Sequence, residues 1–138
     1  MKKVILESPF AGDVEANIEY ARRCIRDCLL RGESPYASHL LYTQKGILDD
    51  DVPEERKLGI EAGFEWRSGA ELTVVYTDRG ISGGMRQGIE DSDKRGIPVE
   101  YRSLEKENGQ NIAGRQDETV RSERGDKTNS SPSGDRPD

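Results

Sequence analysis

Residues 1–10 read Met-Lys-Lys-Val-Ile-Leu-Glu-Ser-Pro-Phe, and the run Val4-Ile5-Leu6 within them decides the fold class. Three consecutive apolar residues closed by Ser8-Pro9 are the pattern of a strand covered on both faces, because a half-exposed strand would alternate apolar with polar. A strand buried on both sides belongs to a parallel sheet, whose crossover connections lay helices over its faces. Leu72 to Tyr76, Leu-Thr-Val-Val-Tyr, repeats the pattern and is the clearest strand of the chain.

Beyond the first strand, Asp13 is placed to cap a helix whose apolar residues Val14, Ile18, Ala21, Ile25, Cys28 and Leu29 fall in one stripe at about 100° per residue, with Gly32 at its end. Ser34 to Leu41 reads as a second strand, followed by a polar loop from Tyr42 to Asp51. Asp51-Val52-Pro53-Glu54 then offers an N-cap aspartate, a proline in the first turn and a glutamate three residues on, opening a helix that runs to about Arg67. Ser82 to Arg95 reads as a third helix ended by Gly96, and Ile97 to Tyr101 as a last short strand. This alternation predicts a small α/β domain: a doubly wound, Rossmann-like or flavodoxin-like parallel sheet of about four strands with helices on both faces.

The domain is expected over residues 1–104 and a disordered charged tail over 105–138, where only Ile112, Ala113 and Val120 are apolar and nothing offsets the entropy of ordering. Residues 1–104 hold 15 Lys and Arg against 19 Asp and Glu, a net of −4, and the tail holds 6 against 8, a net of −2. Neither part carries the basic footprint of a nucleic-acid polymer binder. No apolar run reaches the roughly 20 residues of a membrane span or resembles a signal peptide, so the expected address is the cytoplasm, with no membrane partner. Cys24 and Cys28 stand four apart on one helix and His39 is the lone histidine, which leaves a zinc site short of ligands. No metal and no cofactor is expected. The run Asp49-Asp50-Asp51 is accounted for by capping and solvation.

In open α/β sheets ligands sit beyond the carboxyl ends of the strands, where the strand order reverses. Two loops qualify. The first, residues 8–13, offers Ser8, Pro9, Phe10 and Gly12; the second, residues 77–85, offers Asp78, Arg79, Ser82, Gly83, Gly84 and Met85, with Arg86 just beyond. Asp13 and Glu15 already place negative charge at the first helix, so a phosphate would bind at the third, where the glycine turn is flanked by Arg79 and Arg86. The plainer reading of that turn is a helix start with Ser82 as cap. His39 and Tyr42, at the exit of the second strand, face the same end of the sheet and suit ligand contact better than acid or base work. On the second helix Glu54, Glu61 and Glu65 share one side while Gly59 and Gly63 stack four apart. Glu61 is either part of a solvated face or a pocket carboxylate that accepts hydrogen bonds from sugar hydroxyls.

Taken together, Ser8-Pro9-Phe10, the text Pro-Glu-Glu-Arg-Lys-Leu-Gly-Ile-Glu-Ala-Gly of residues 53–63, and Ile-Ser-Gly-Gly-Met of residues 81–85 followed by Gly-Ile-Pro-Val of 96–99 resemble the nucleoside 2-deoxyribosyltransferase-like superfamily. More narrowly they are similar to a small domain of unknown function common in phage and bacterial genomes. The resemblance covers about residues 2–102. It implies a sugar held between the first loop and the glycine turn, and cleavage of an N-glycosidic bond by a carboxylate nucleophile. In the transferases that glutamate follows a Gly-Met pair; here Gly84-Met85 is followed by Arg86, so the remaining carboxylates are Glu90 and, as the catalytic candidate, Glu61. The expected function is therefore a nucleoside- or nucleotide-binding protein, with N-glycosidase or deoxyribosyl transfer as its reaction. The competing expectation is a non-catalytic interaction or ligand-sequestering protein, with a protein partner for the tail. A homo-oligomer is compatible with either.

Overall fold

The computed structural model describes residues 1–105. Four strands and four helices follow one another: β1 (Lys2–Glu7), α1 (Val14–Leu30), β2 (Glu33–Tyr36), α2 (Ser38–Leu41), α3 (Pro53–Glu65), β3 (Leu72–Tyr76), α4 (Gly83–Arg95) and β4 (Val99–Arg102). The sheet is parallel throughout, in the order β2-β1-β3-β4. This is the small Rossmann-like α/β fold that the Val4-Ile5-Leu6 run implies. The chain leaves β1 toward one edge, then crosses back over it to β3, so strand order reverses between β1 and β3. The tail expected over residues 105–138 lies outside the described residues except for Glu105. No helix among the described residues is long and apolar enough to cross a membrane.

Alternation along the central strands separates two differently built faces. Val4, Leu6, Val74 and Tyr76 meet Tyr20, Cys24 and Cys28 of α1 in the apolar core. On the other face Glu7 and Thr73 meet Arg67, which follows α3, and Ser92 of α4. The stripe expected on α1 is rotated: Val14 and Leu29 are exposed at 37% and 50%, and the buried residues are Asn17, Tyr20, Ala21, Cys24 and Cys28. Asn17 and Tyr20 tolerate burial because each has partners. Asn17 Nδ2 donates to the Phe10 and Ala11 carbonyls at 2.9 and 3.0 Å, and Tyr20 Oη donates to Asp78 at 2.7 Å.

The second strand is shorter than its sequence suggests. The parallel register ends at Ile5 opposite Tyr36, so residues from Ser38 onward have no ladder to join. Their backbone closes locally instead, with Leu40 and Leu41 N–H both reaching the Ala37 carbonyl at 3.1 Å, and the result is α2. Pro35 fits an edge strand, where a missing donor costs least. At α3 the cap is Val52 rather than Asp51, without a side-chain bond, and Glu55 Oε1 instead accepts the Asp49 amide at 2.7 Å. Asp13 and Ser82 cap α1 and α4 as expected, and Gly96 closes α4 at φ 75°.

Both thiols are free and fully buried. Burial pushes the Cys28 thiol from 9.0 up to about 12, partly opposed by the Tyr76 hydrogen bond and by Arg102, and it raises Cys24, Tyr20 and Tyr76 as well. An acid whose folded pKa is raised stabilises the fold below its unfolded pKa and loses that contribution as pH rises. Chemical unfolding should therefore become easier from about pH 9 upward, and neither cysteine should react with a thiol reagent at pH 8 until denaturant is added. Rapid native-state labelling of either one would contradict this burial.

Candidate functional site

β1 ends at Glu7 and delivers Ser8 into the reversal of strand order, where a cavity of ≈ 100 Å³ opens. Ser8 is 4% exposed, and its Oγ lies 2.8 Å from His39 Nε2 on α2. α2 therefore sets the position of His39, and Thr43 Oγ1 holds its turn by donating to the His39 carbonyl at 2.6 Å. Tyr42 stands beside it, its Oη receiving bonds from Tyr36 Oη at 2.7 Å and Trp66 Nε1 at 3.2 Å. Gly84, Met85 and Gln87 of α4 close another wall.

The remaining wall is α3. Arg56, Gly59, Ile60 and Phe64 line the cavity, a spacing that keeps one helical face inward. Gly63 lies on the same face, and an added Cβ there would stand 2.8 Å from Ser38 Cβ and still closer to Ser38 Oγ. The stacked glycines thus admit α2 and the Leu48 side chain rather than a ligand backbone. Arg67, one turn beyond, is 3% exposed; it pairs with Glu7 and lies 3.3 Å from Asp91 Oδ2. The loop from Tyr42 to Asp51 forms the rim, where Asp50 Oδ2 meets Arg56 Nη1 at 2.8 Å. Outside this rim a hollow of ≈ 660 Å³ shares Phe10, Thr43, Leu48, Asp50 and Glu55 with the inner cavity.

Of the residues singled out in the sequence, Ser8, Phe10, His39, Tyr42, Gly84 and Met85 line the inner cavity, and Gly12 lines the outer hollow. Pro9 is fully buried beside them. The others point elsewhere. Asp78 accepts from Tyr20 Oη, Ser103 Oγ and the Leu104 amide, so it anchors the chain after β4. Arg79 Nε donates to Asn17 Oδ1 at 2.7 Å, and Ser82 Oγ accepts from the Met85 amide as the helix cap. Gly83, Arg86 and Glu61 are exposed and outside both linings. For Glu61 the reason is the phase of α3, whose inward face carries glycine and arginine, while Leu58 and Trp66 are 55% and 59% exposed.

Glu7, Asp50, Glu55, Arg56, Arg67 and Gln87 enter the site without having been singled out. Glu7 carried a signal as a charge closing the apolar run Val4-Ile5-Leu6, and Asp50 stood in the acidic run Asp49-Asp50-Asp51 that capping and solvation already accounted for. Among the described residues no group of three or more His, Cys, Asp or Glu is arranged to hold a metal ion. The aspartates of the rim are engaged otherwise, Asp50 with Arg56 and Asp49 Oδ1 with the Asp51 amide at 3.0 Å.

Residues 2–102 match the family model described as Domain of unknown function (DUF7768), and the chain belongs to that family. No curated protein and no solved structure matches it.

Proposed function

We propose that this domain binds a nucleoside or nucleotide at the carboxyl end of its sheet and acts on the N-glycosidic bond. The observation that carries the reading is the convergence of Ser8, His39 and the α4 amino end with Phe10, Tyr42 and Phe64 in one cavity at the reversal of strand order. Aromatic and aliphatic walls suit a base, and the hydroxyl, imidazole and Gln87 amide suit a sugar. The resemblance of Ser8-Pro9-Phe10 and of residues 81–85 to the deoxyribosyltransferase-like superfamily supports the same assignment. A ligand of that size needs more than the ≈ 100 Å³ of the inner cavity, so it extends under the rim loop into the outer hollow. With Glu61 on the solvent side, the carboxylates available to the reaction are those of the inner lining, Glu7, Asp50 and Glu55.

The test is a panel of nucleosides, nucleoside monophosphates and dinucleotides, read by thermal shift and by release of free base. A ligand at 100 times its Kd should add about 2.7 kcal/mol and raise Tm by roughly 10 °C in a domain of this size. Base release by any member would establish cleavage. A panel in which no compound shifts Tm would overturn the assignment.

A further inference from the structure

We infer that the site selects an uncharged ligand, a nucleoside in preference to its monophosphate, and that Asp50 is the residue that sets this preference. The inference rests on the nucleoside-or-nucleotide reading above and narrows it. The guanidiniums near the inner cavity are engaged or lie outside it. Arg67 is held by Glu7 and Asp91, and Arg56 by Asp50 at 2.8 Å. Arg79 is turned to Asn17, and Arg86 is exposed outside both linings. No guanidinium of the lining faces the cavity without a carboxylate beside it.

The charge balance has the same sign. The inner lining carries three carboxylates, Glu7, Asp50 and Glu55, against two guanidiniums, Arg56 and Arg67, a net of −1. The outer hollow carries four, Asp49, Asp50, Asp51 and Glu55, against Lys45, a net of −3. A phosphate entering here meets four carboxylates with only Lys45 to offset them, and it reaches Arg56 only by breaking the Asp50 pair. Like charges brought together in a partly desolvated site count directly against the wrong ligand. Sugar hydroxyls meet the opposite situation, since the Asp50 and Glu55 carboxylates are acceptors for the 3′- and 5′-hydroxyl donors of a nucleoside, and the 5′ donor is lost in the monophosphate.

Calorimetric titration of the full chain with the four 2′-deoxynucleosides and their 5′-monophosphates tests this. At low ionic strength a nucleoside should bind about tenfold or more tighter than its monophosphate, and the gap should shrink at about 1 M salt, where the screening length falls to about 3 Å. Asp50→Asn removes the repulsion and frees Arg56, so the ratio of monophosphate to nucleoside affinity should rise about tenfold. Glu55→Gln, which leaves the Arg56 pair intact, should move the ratio in the same direction by less. A monophosphate that binds wild type as tightly as its nucleoside would overturn the inference while leaving the ligand class standing. So would an unmoved ratio in both folded variants. If no nucleoside and no monophosphate binds wild type, the ligand class itself fails and this selectivity with it.

Discussion

Replacing Arg67 by methionine should remove about 3–5 kcal/mol from the unfolding free energy, a large share of the 5–15 kcal/mol typical of a domain this size. The Arg67 side chain is 4% exposed and its Glu7 partner 10%, so the pair lies out of water beneath α4. Arg67 Nη1 also reaches Thr73 Oγ1 at 3.4 Å and Ser92 Oγ at 3.2 Å, and those hydroxyls bond each other at 2.7 Å. One guanidinium therefore joins β1, β3 and α4 on the face opposite the apolar core. The pair need not be a large net stabiliser, because desolvating two ions offsets much of their attraction. Breaking it is different, since Glu7 would be left as a buried charge without its counterion. Urea unfolding of Arg67→Met, Glu7→Gln and the double variant separates the two effects. The double variant should recover about half or more of the Arg67→Met loss, because it removes the stranded charge. A loss below about 1 kcal/mol in Arg67→Met would mean that water reaches Glu7 and that this face is not sealed.

Arg67 also marks the limit of what the sequence can disclose. The four strands, the three long helices and the caps Asp13, Ser82 and Gly96 were legible because their signals are local, whereas the cap expected at Asp51 falls on Val52. The truncation of β2 was not legible, since it depends on where the register with β1 stops, at Ile5 opposite Tyr36. Six of the cavity residues, Ser8, Phe10, His39, Tyr42, Gly84 and Met85, followed from one topological rule applied to the strand ends. Glu61, Arg79 and Arg86 had the right chemistry and the wrong direction. On α3 the inward face is Arg56, Gly59, Ile60, Gly63 and Phe64, while Leu58 is 55% exposed, so hydropathy alone does not fix the phase. The pairing of Glu7 with Arg67 spans 60 residues, and no short-range pattern in the text connects them.

Gly88→Ala should destabilise the protein by about 1–3 kcal/mol, against the sign that helix propensity gives. Alanine in a helix interior is normally better than glycine by about 1 kcal/mol, and Gly88 lies well inside α4. What reverses the sign is the ion pair beneath it. A Cβ built on Gly88 would collide with Glu7 Oε2 and stand 2.6 Å from Arg67 Nη2. Neither atom can move away freely, because Arg67 is fixed by Thr73 and Ser92 and both charged side chains are buried. The methyl must lift α4 from the sheet or break the Glu7–Arg67 contact, and either route costs more than the backbone entropy gained. Lifting α4 also moves Gly84, Met85 and Gln87, so a ligand from the nucleoside panel should bind more weakly to the variant. Glu7→Ala supplies the control, since it deletes the carboxylate that the methyl strikes. In that background Gly88→Ala should cost less than in wild type, giving a coupling of about 1 kcal/mol or more by urea unfolding. A Gly88→Ala protein as stable as wild type, with no coupling to Glu7, would mean that α4 sits farther from the sheet than this packing requires.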